Sequence, residues 1–395
     1  MTEKNQKRVA AFCRFAIVYV MLFICAGNII NSMMLKWGFR DDQGGEFATS
    51  YSLVGMMNGD APKPWVYRSS FPKAAKWLAE RLDPDKQQKI YRSITRHDTL
   101  HNLFFAGVPS EYWTPAVAIT YHLTYIAIVL SALFVLLLVY KLARLHGLNF
   151  GQSVGFLAAF SFIYPLTFQR GGYYYDFFEI LGALGACYFL LRQRMVVCTL
   201  LIAIFSLNKE TFFLVPLALF FLHDSNVALS KRFGWLAMQL AICFATRHFI
   251  MSGYAANDGD LVIFQLWNNL KFWVNPASYL SFYNLIGKGI YTPSLQNPLM
   301  LVPLAVYFRA AWRNTPARYR RYFFAAFVPV LPLFMLFGYC DESRNFSVVF
   351  PAIILIALHG ATRFDAIFGG RAAADHGGAT RTPRVSGFAE VRETA

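Results

Sequence analysis

Charge is what this chain is short of. Only 15% of its 395 residues are Asp, Glu, Lys or Arg, against about 25% in a soluble domain, and 56% are hydrophobic. Most of such a chain takes lipid rather than water as its solvent, which excludes an ordinary soluble domain. An ordered cysteine framework is also missing. The six Cys, at 13, 25, 187, 198, 243 and 340, show no CxxC and no Cys/His ligand spacing, and read as small hydrophobes inside apolar runs. No internal repeat is visible, which weakens an inverted-repeat transporter reading. A concentrated basic face is lacking too. The net charge is +15, but Lys and Arg stand in short clusters between apolar runs, as topology determinants do, and no nucleic-acid partner is expected.

What is present is a succession of apolar segments. Runs at 15–35, 115–142, 151–168, 177–191, 195–207, 211–222, 235–251, 298–311, 323–339 and 346–359 predict an all-α, polytopic membrane protein of about ten transmembrane or half-membrane helices, several too short to span unaided. Lys4, Lys7, Arg8 and Arg14 precede the first run, so the positive-inside rule puts the N-terminus in the cytoplasm. Alternating from there, the inner face receives 20 of the 37 Lys and Arg but only 6 of the 22 Asp and Glu, as the same rule requires. The first run is long and lacks a small-x-small cleavage site, so it reads as a retained anchor rather than a signal peptide.

These assignments make residues 1–360 a membrane domain, with an outer loop over 36–112 and a second over 252–297. A tail over 361–395, rich in Gly, Ala, Thr and Arg, is expected to be cytoplasmic and disordered. In the first loop, 70–96 carries Phe71, Ala75, Leu78 and Leu82 at helical spacing, predicting amphipathic helices on either side of Pro84 that lie against the bilayer surface.

Ionisable residues near segment ends fall on the outer side, and at membrane depth each is costly unless paired or solvated. Asp41 and Asp42, just beyond the first run, are candidates for a general base that takes the proton of an acceptor hydroxyl; an acidic turn is the plain alternative. PWVYR ends on Arg68, a planar donor suited to phosphate. In NKET, Lys209 supplies a compact positive charge and Glu210 an orienting carboxylate, where two short apolar runs meet; the alternative is a solvated turn. In GGYYYDFFE, Asp176 and Glu179 share a helix face, and the tyrosines are offered to a sugar ring or the interfacial belt; Asp176 also suits an N-cap. In DESRNF, Glu342 and Arg344 precede a helix predicted over 345–359, whose N-terminus favours anions. Arg247 completes the set of phosphate candidates with Arg68, Lys209 and Arg344. A divalent cation among Glu210, Glu342, Asp176 and Glu179 is compatible with these residue types, and nothing in the spacing demands one.

An N-in first span, a long outer loop opening on an acidic pair, amphipathic helices within it and short charged outer loops together resemble the GT-C superfamily of polyprenyl-phosphate-sugar-dependent glycosyltransferases. The Lys-Glu of NKET and the Glu-x-Arg of DESRNFSVVFP are similar to elements of uncharacterised bacterial members. The likeness covers the organisation of roughly 15–359. It implies sugar transfer from a lipid-phosphate carrier to a glycan or lipid acceptor on the periplasmic side of the bacterial inner membrane, with Asp41 or Asp42 as base or metal-associated residue. Many members carry an Asp-Glu pair in a later loop, and here the nearest equivalent, Asp176 with Glu179, is spaced differently. A polysaccharide polymerase or ligase acting on lipid-linked glycans is the nearest rival; a transporter or flippase is the rival without chemistry.

Overall fold

The computed structural model describes residues 3–34, 39, 51–97, 99–168, 172–260, 262–283, 291–340 and 342–362. Asp41, Asp42, Arg170, Asp341 and residues 363–395 of the predicted tail lie outside the described residues. The described part is mostly helical, with one two-residue strand pair, 282–283 with 292–293.

Among the described residues, six helices are long and apolar enough to cross a membrane: α1 (Glu3–Met34, the candidate span being Lys4–Met34), α5 (Pro115–Leu145), the Phe150–Phe168 segment containing α6 (Phe150–Ile163), α7 (Tyr174–Leu191), α10 (Leu229–Gly253) and α13 (Ala317–Phe337). The chain is therefore an all-α protein with the helices of an integral membrane protein. The expected number of about ten is not met. α8 (Met195–Phe205), the Glu210–Leu222 segment around α9 (Leu214–Leu219), and α14 (Phe350–Ala361) are apolar but shorter. α12 (Pro298–Asn314) has 17 residues. The physical reason is that turns interrupt the apolar sequence: a 3₁₀ turn opens the Glu210–Leu222 segment, and another, Ser343–Phe346, precedes α14.

Between α1 and α5 lie α2 (Leu53–Asn58), the 3₁₀ turn Trp65–Arg68, α3 (Ser70–Glu80) and α4 (Pro84–Arg96). The last two match the amphipathic pair expected over 70–96. Pro84 stands at the first position of α4, where Asp83 caps it by accepting from the Asp85 amide at 3.0 Å, because a proline there sacrifices no helical hydrogen bond. Local signals set other starts as well. Asn149 and Gln152 form a reciprocal capping box for α6, at 2.9 and 3.0 Å, and Thr114 caps α5 ahead of Pro115.

α7 is the axis of the fold. In its spanning window 78% of the residues are buried, against 11% for α1, and it packs on α5, α8 and α14. Gly182 permits the closest approach: a Cβ there would stand 2.5 Å from Phe205 and 2.8 Å from Phe212. α1, by contrast, shows Phe12, Phe15, Val20 and Ile24 to its surroundings, as a lipid-facing helix does. Cys25, Cys187, Cys198, Cys243 and Cys340 are buried and unpaired by disulfides, and Cys13 is exposed.

Candidate ionic site

The described site candidates gather at one end of the helices, around the start of α7. They form two groups of different character.

The first group is closed. Asp176 and Glu179, one turn apart at the start of α7, are 2% and 0% exposed. Lys209, in extended backbone where the chain breaks after α8, reaches Glu179 at 2.8 Å and Asp176 at 3.7 Å. Thr211 donates to the other oxygen of Glu179 at 2.9 Å, and the Ser347 hydroxyl also donates to Glu179. Arg344 pairs with Asp176 at 3.0 Å and Glu342 at 2.6 Å, and its guanidinium lies 4.3 Å from the Tyr173 ring centre. Burial opposes the charge on Arg344, but Glu342 and Asp176 outweigh it and raise the group well above its ordinary range. Asp176 further accepts from the Tyr173 amide at 2.8 Å, so it closes the helix end and holds an arginine at once.

The second group is more open. Arg68 faces Glu210 with two donors, one at 3.3 Å and one shorter, and donates to the Tyr175 hydroxyl at 2.9 Å. Tyr174 fixes the turn that carries Arg68 by donating to its carbonyl at 2.7 Å. Arg247, on α10, approaches Glu210 at 3.7 Å and lies over the Tyr67 ring at 4.6 Å. Burial again opposes the charge on Arg68, and the Glu210 carboxylate and Tyr175 phenol hold it well above its ordinary range. Side-chain exposures are 14%, 25% and 15% for Arg68, Glu210 and Arg247. Two cations thus share one carboxylate, and Nη1 of Arg247 is buried with no hydrogen-bond partner among the described residues.

A cavity of about 380 Å³ adjoins this group. Ser70, Lys73, Leu207, Phe249, Ile250, Ser252, Gly253 and Tyr254 line it, so its wall includes positions two or three residues from Arg68, Glu210 and Arg247. Lys73 donates to the Tyr254 hydroxyl and lies 4.4 Å from that ring centre. Phe249 is 77% exposed at the wall, so the cavity has an apolar approach from the side. No local signal in the sequence marks Lys73 or Tyr254: Lys73 is one polar residue of an amphipathic helix, and only the fold brings it to Tyr254, 181 residues away.

No protein-family model, curated protein or solved structure matches this chain.

Several expectations change. Lys209 and Arg344, expected as phosphate ligands, each pair with buried carboxylates, as buried cations require local counter-charge. Glu342 and Arg344 do not stand at the start of α14, which begins at Phe350: Glu342 precedes, and Arg344 lies within, the 3₁₀ turn Ser343–Phe346. The tyrosines at 173–175 are buried; they brace the ion pairs and do not form an interfacial belt. Gly172 serves close packing, since a Cβ there would meet Met33 at 2.5 Å and Phe168 at 2.6 Å. Among the described residues no cluster of three metal-ligating side chains forms. Asp176, Glu179, Glu210 and Glu342 each already hold a cation, a donor set that does not fit a divalent metal without expelling Lys209 or an arginine.

Proposed function

We propose that this chain is a membrane glycosyltransferase of GT-C type that moves a sugar from a polyprenyl-phosphate carrier to a glycan or lipid acceptor. The observation that carries the reading is the unpaired, buried Nη1 of Arg247 within a group of net positive charge, beside a cavity with an apolar approach. A buried guanidinium nitrogen without an acceptor costs free energy comparable to a lost hydrogen bond, and a phosphate oxygen satisfies it. On this reading the phosphate-binding role narrows to Arg68 and Arg247, with Lys73 added. The lipid chain leaves past Phe249.

The reaction would proceed with Asp41 or Asp42 accepting the proton of the acceptor hydroxyl as its oxygen attacks the anomeric carbon. The carbon–oxygen bond to phosphate breaks, and the lipid phosphate departs with the electron pair, its charge held by the arginines. The site would face the periplasm, with the N-terminus in the cytoplasm, and the shorter helices would complete about ten membrane segments as half-spans shielded by the others.

A polymerase or ligase working on two lipid-linked glycans has one observation in its favour: the group beside the cavity holds two arginines against one carboxylate. Proteoliposomes supplied with a panel of radiolabelled polyprenyl-phosphate sugars test both. Wild type should turn over at least one donor; Asp41→Asn or Asp42→Asn should abolish turnover with donor binding intact; Arg247→Ala should raise the donor KM. Turnover indifferent to both Asp changes but lost with Arg247 selects the polymerase or ligase. Absence of turnover with every donor removes the transferase reading and returns the transporter.

A further inference from the structure

A second cavity, also of about 380 Å³, lies at the other end of the same helices. Its wall is formed by Phe220, Phe221, His223, Ser225, Leu229, Arg232, Arg318 and Arg321. The Glu210–Leu222 segment and α10 each have one end at the Arg68 group and the other at this cavity. Along α10, Arg232 and Arg247 are separated by about 22 Å at 1.5 Å rise per residue, so the two cavities are separate sites.

The chemistry of the wall is one-sided. Among the described residues, three arginines and a histidine meet no acidic side chain on it. The nearby Asp224 is turned into its own loop, where its carboxylate accepts from the Asn226 amide at 3.1 Å and the Ser225 hydroxyl at 3.4 Å. Arg232 is held in place by donating to the carbonyls of Val227, Asp224 and Ser225 at 2.8 to 2.9 Å. Arg318 is braced on the Tyr319 hydroxyl at 3.0 Å. Arg321 is exposed and carries no hydrogen bond or ion pair among the described residues. Preset cations without counter-charge favour an anion.

The rim has the opposite character. Phe221, Leu229 and Phe233 are 45%, 58% and 53% exposed, and Phe233 lies one turn into α10 with its ring 4.9 Å from that of Phe220. Leu229 and Ala317 begin two of the spanning helices, so basic cavity and apolar rim meet where a span ends, at the level at which a lipid passes from headgroup to acyl chain. A small polar anion would use the arginines and leave the rim unmatched; a molecule with a phosphate and hydrocarbon chains uses both. The volume lies within the range of about 300–1,000 Å³ common to ligand sites.

We propose that this cavity binds the phosphate of an anionic phospholipid, with the acyl chains lying along Phe221, Leu229 and Phe233. The site is independent of the reaction at the opposite end. Its test uses the full chain, delipidated in neutral detergent micelles and titrated by native mass spectrometry with dioleoyl phosphatidylglycerol, dioleoyl phosphatidylcholine or glycerol 3-phosphate. One phosphatidylglycerol should bind at least tenfold more tightly than phosphatidylcholine, and glycerol 3-phosphate should not bind measurably. Arg318→Gln with Arg321→Gln should weaken phosphatidylglycerol on the order of thirtyfold, taking about fivefold per arginine. Should the double variant fail to fold, Arg321→Gln alone should cost about fivefold. Lys141→Gln, exposed on α5 and not on the wall, should leave binding unchanged. Equal binding of phosphatidylcholine, equal binding of glycerol 3-phosphate, unaltered affinity in the arginine variants, or the same loss in Lys141→Gln would each overturn the proposal.

Discussion

The two ionic groups at the start of α7 use the same residue types to different ends. Around Asp176 and Glu179, two cations face three carboxylates, so acid is in excess although Nε of Arg344 also lacks a hydrogen-bond partner among the described residues, and exposure is close to nil apart from Glu342. Around Glu210, two arginines share one carboxylate at the edge of a cavity, and one guanidinium nitrogen has no acceptor among the described residues. A buried network of this kind fixes geometry, because removing any member strands a buried charge. A partly exposed, cation-rich one within two or three residues of a cavity wall is where a ligand anion can be accommodated.

The largest expected effect is on the closed group. Lys209→Met leaves Glu179 without its cation and should destabilise the protein by about 3–5 kcal/mol, seen as a lowered unfolding midpoint in detergent. The double change with Glu179→Gln should recover a substantial part of that loss, the two residues being directly coupled. Additive losses would break the contrast. Next, Gly182→Ala should cost about 1–3 kcal/mol through overpacking, since its Cβ would enter Phe205; Gly155→Ala, with open space around it, should be neutral or stabilising by up to about 1 kcal/mol. This pair asks whether the seat of the closed group is as tightly packed as its geometry indicates.

Arg247→Gln should be mild in stability, about 1 kcal/mol or less for a loose, partly exposed pair, while donor affinity falls about tenfold or more for a lost charge-assisted contact. A large stability loss with unchanged binding would place Arg247 with the closed group. The smallest effect is expected of Tyr254→Phe, which removes the acceptor for Lys73 and should cost about 0.5–1.5 kcal/mol at most. Its sharper readout is a weaker grip on the lipid-phosphate donor in the same proteoliposomes.

Much of this architecture was legible in the residues. Long apolar runs announce spanning helices because each must satisfy its own backbone in lipid, and α1, α5, α7, α10 and α13 fall where the runs predict. Pro84 and Asp83 marked the start of α4, and NKET marked a break, because capping and interruption are local events. The count of spans was less legible. Hydropathy registers an apolar run whether or not the helix within it is long enough, so α8, α9 and α14 were counted alongside full spans.

The roles of the charges were not local at all. The sequence identifies Arg68, Asp176, Glu179, Lys209, Glu210, Arg247, Glu342 and Arg344 as ionisable groups at the ends of apolar segments, because solvent preference belongs to each residue by itself. Whether such a group is locked or available depends on which opposite charges lie within about 4 Å, and in these ion pairs, apart from Glu342 beside Arg344, the partners lie 30 to 168 residues away in the chain. Only the packing of α7 against the turns before α9 and α14 joins Lys209 to Glu179 and Arg344 to Asp176, and only the approach of α10 leaves Arg247 with an uncommitted nitrogen. The sequence by itself determined a helical membrane protein with its chemistry at helix ends; the tertiary structure decided which charges neutralise one another, because electrostatic energy depends on separation in space and local dielectric.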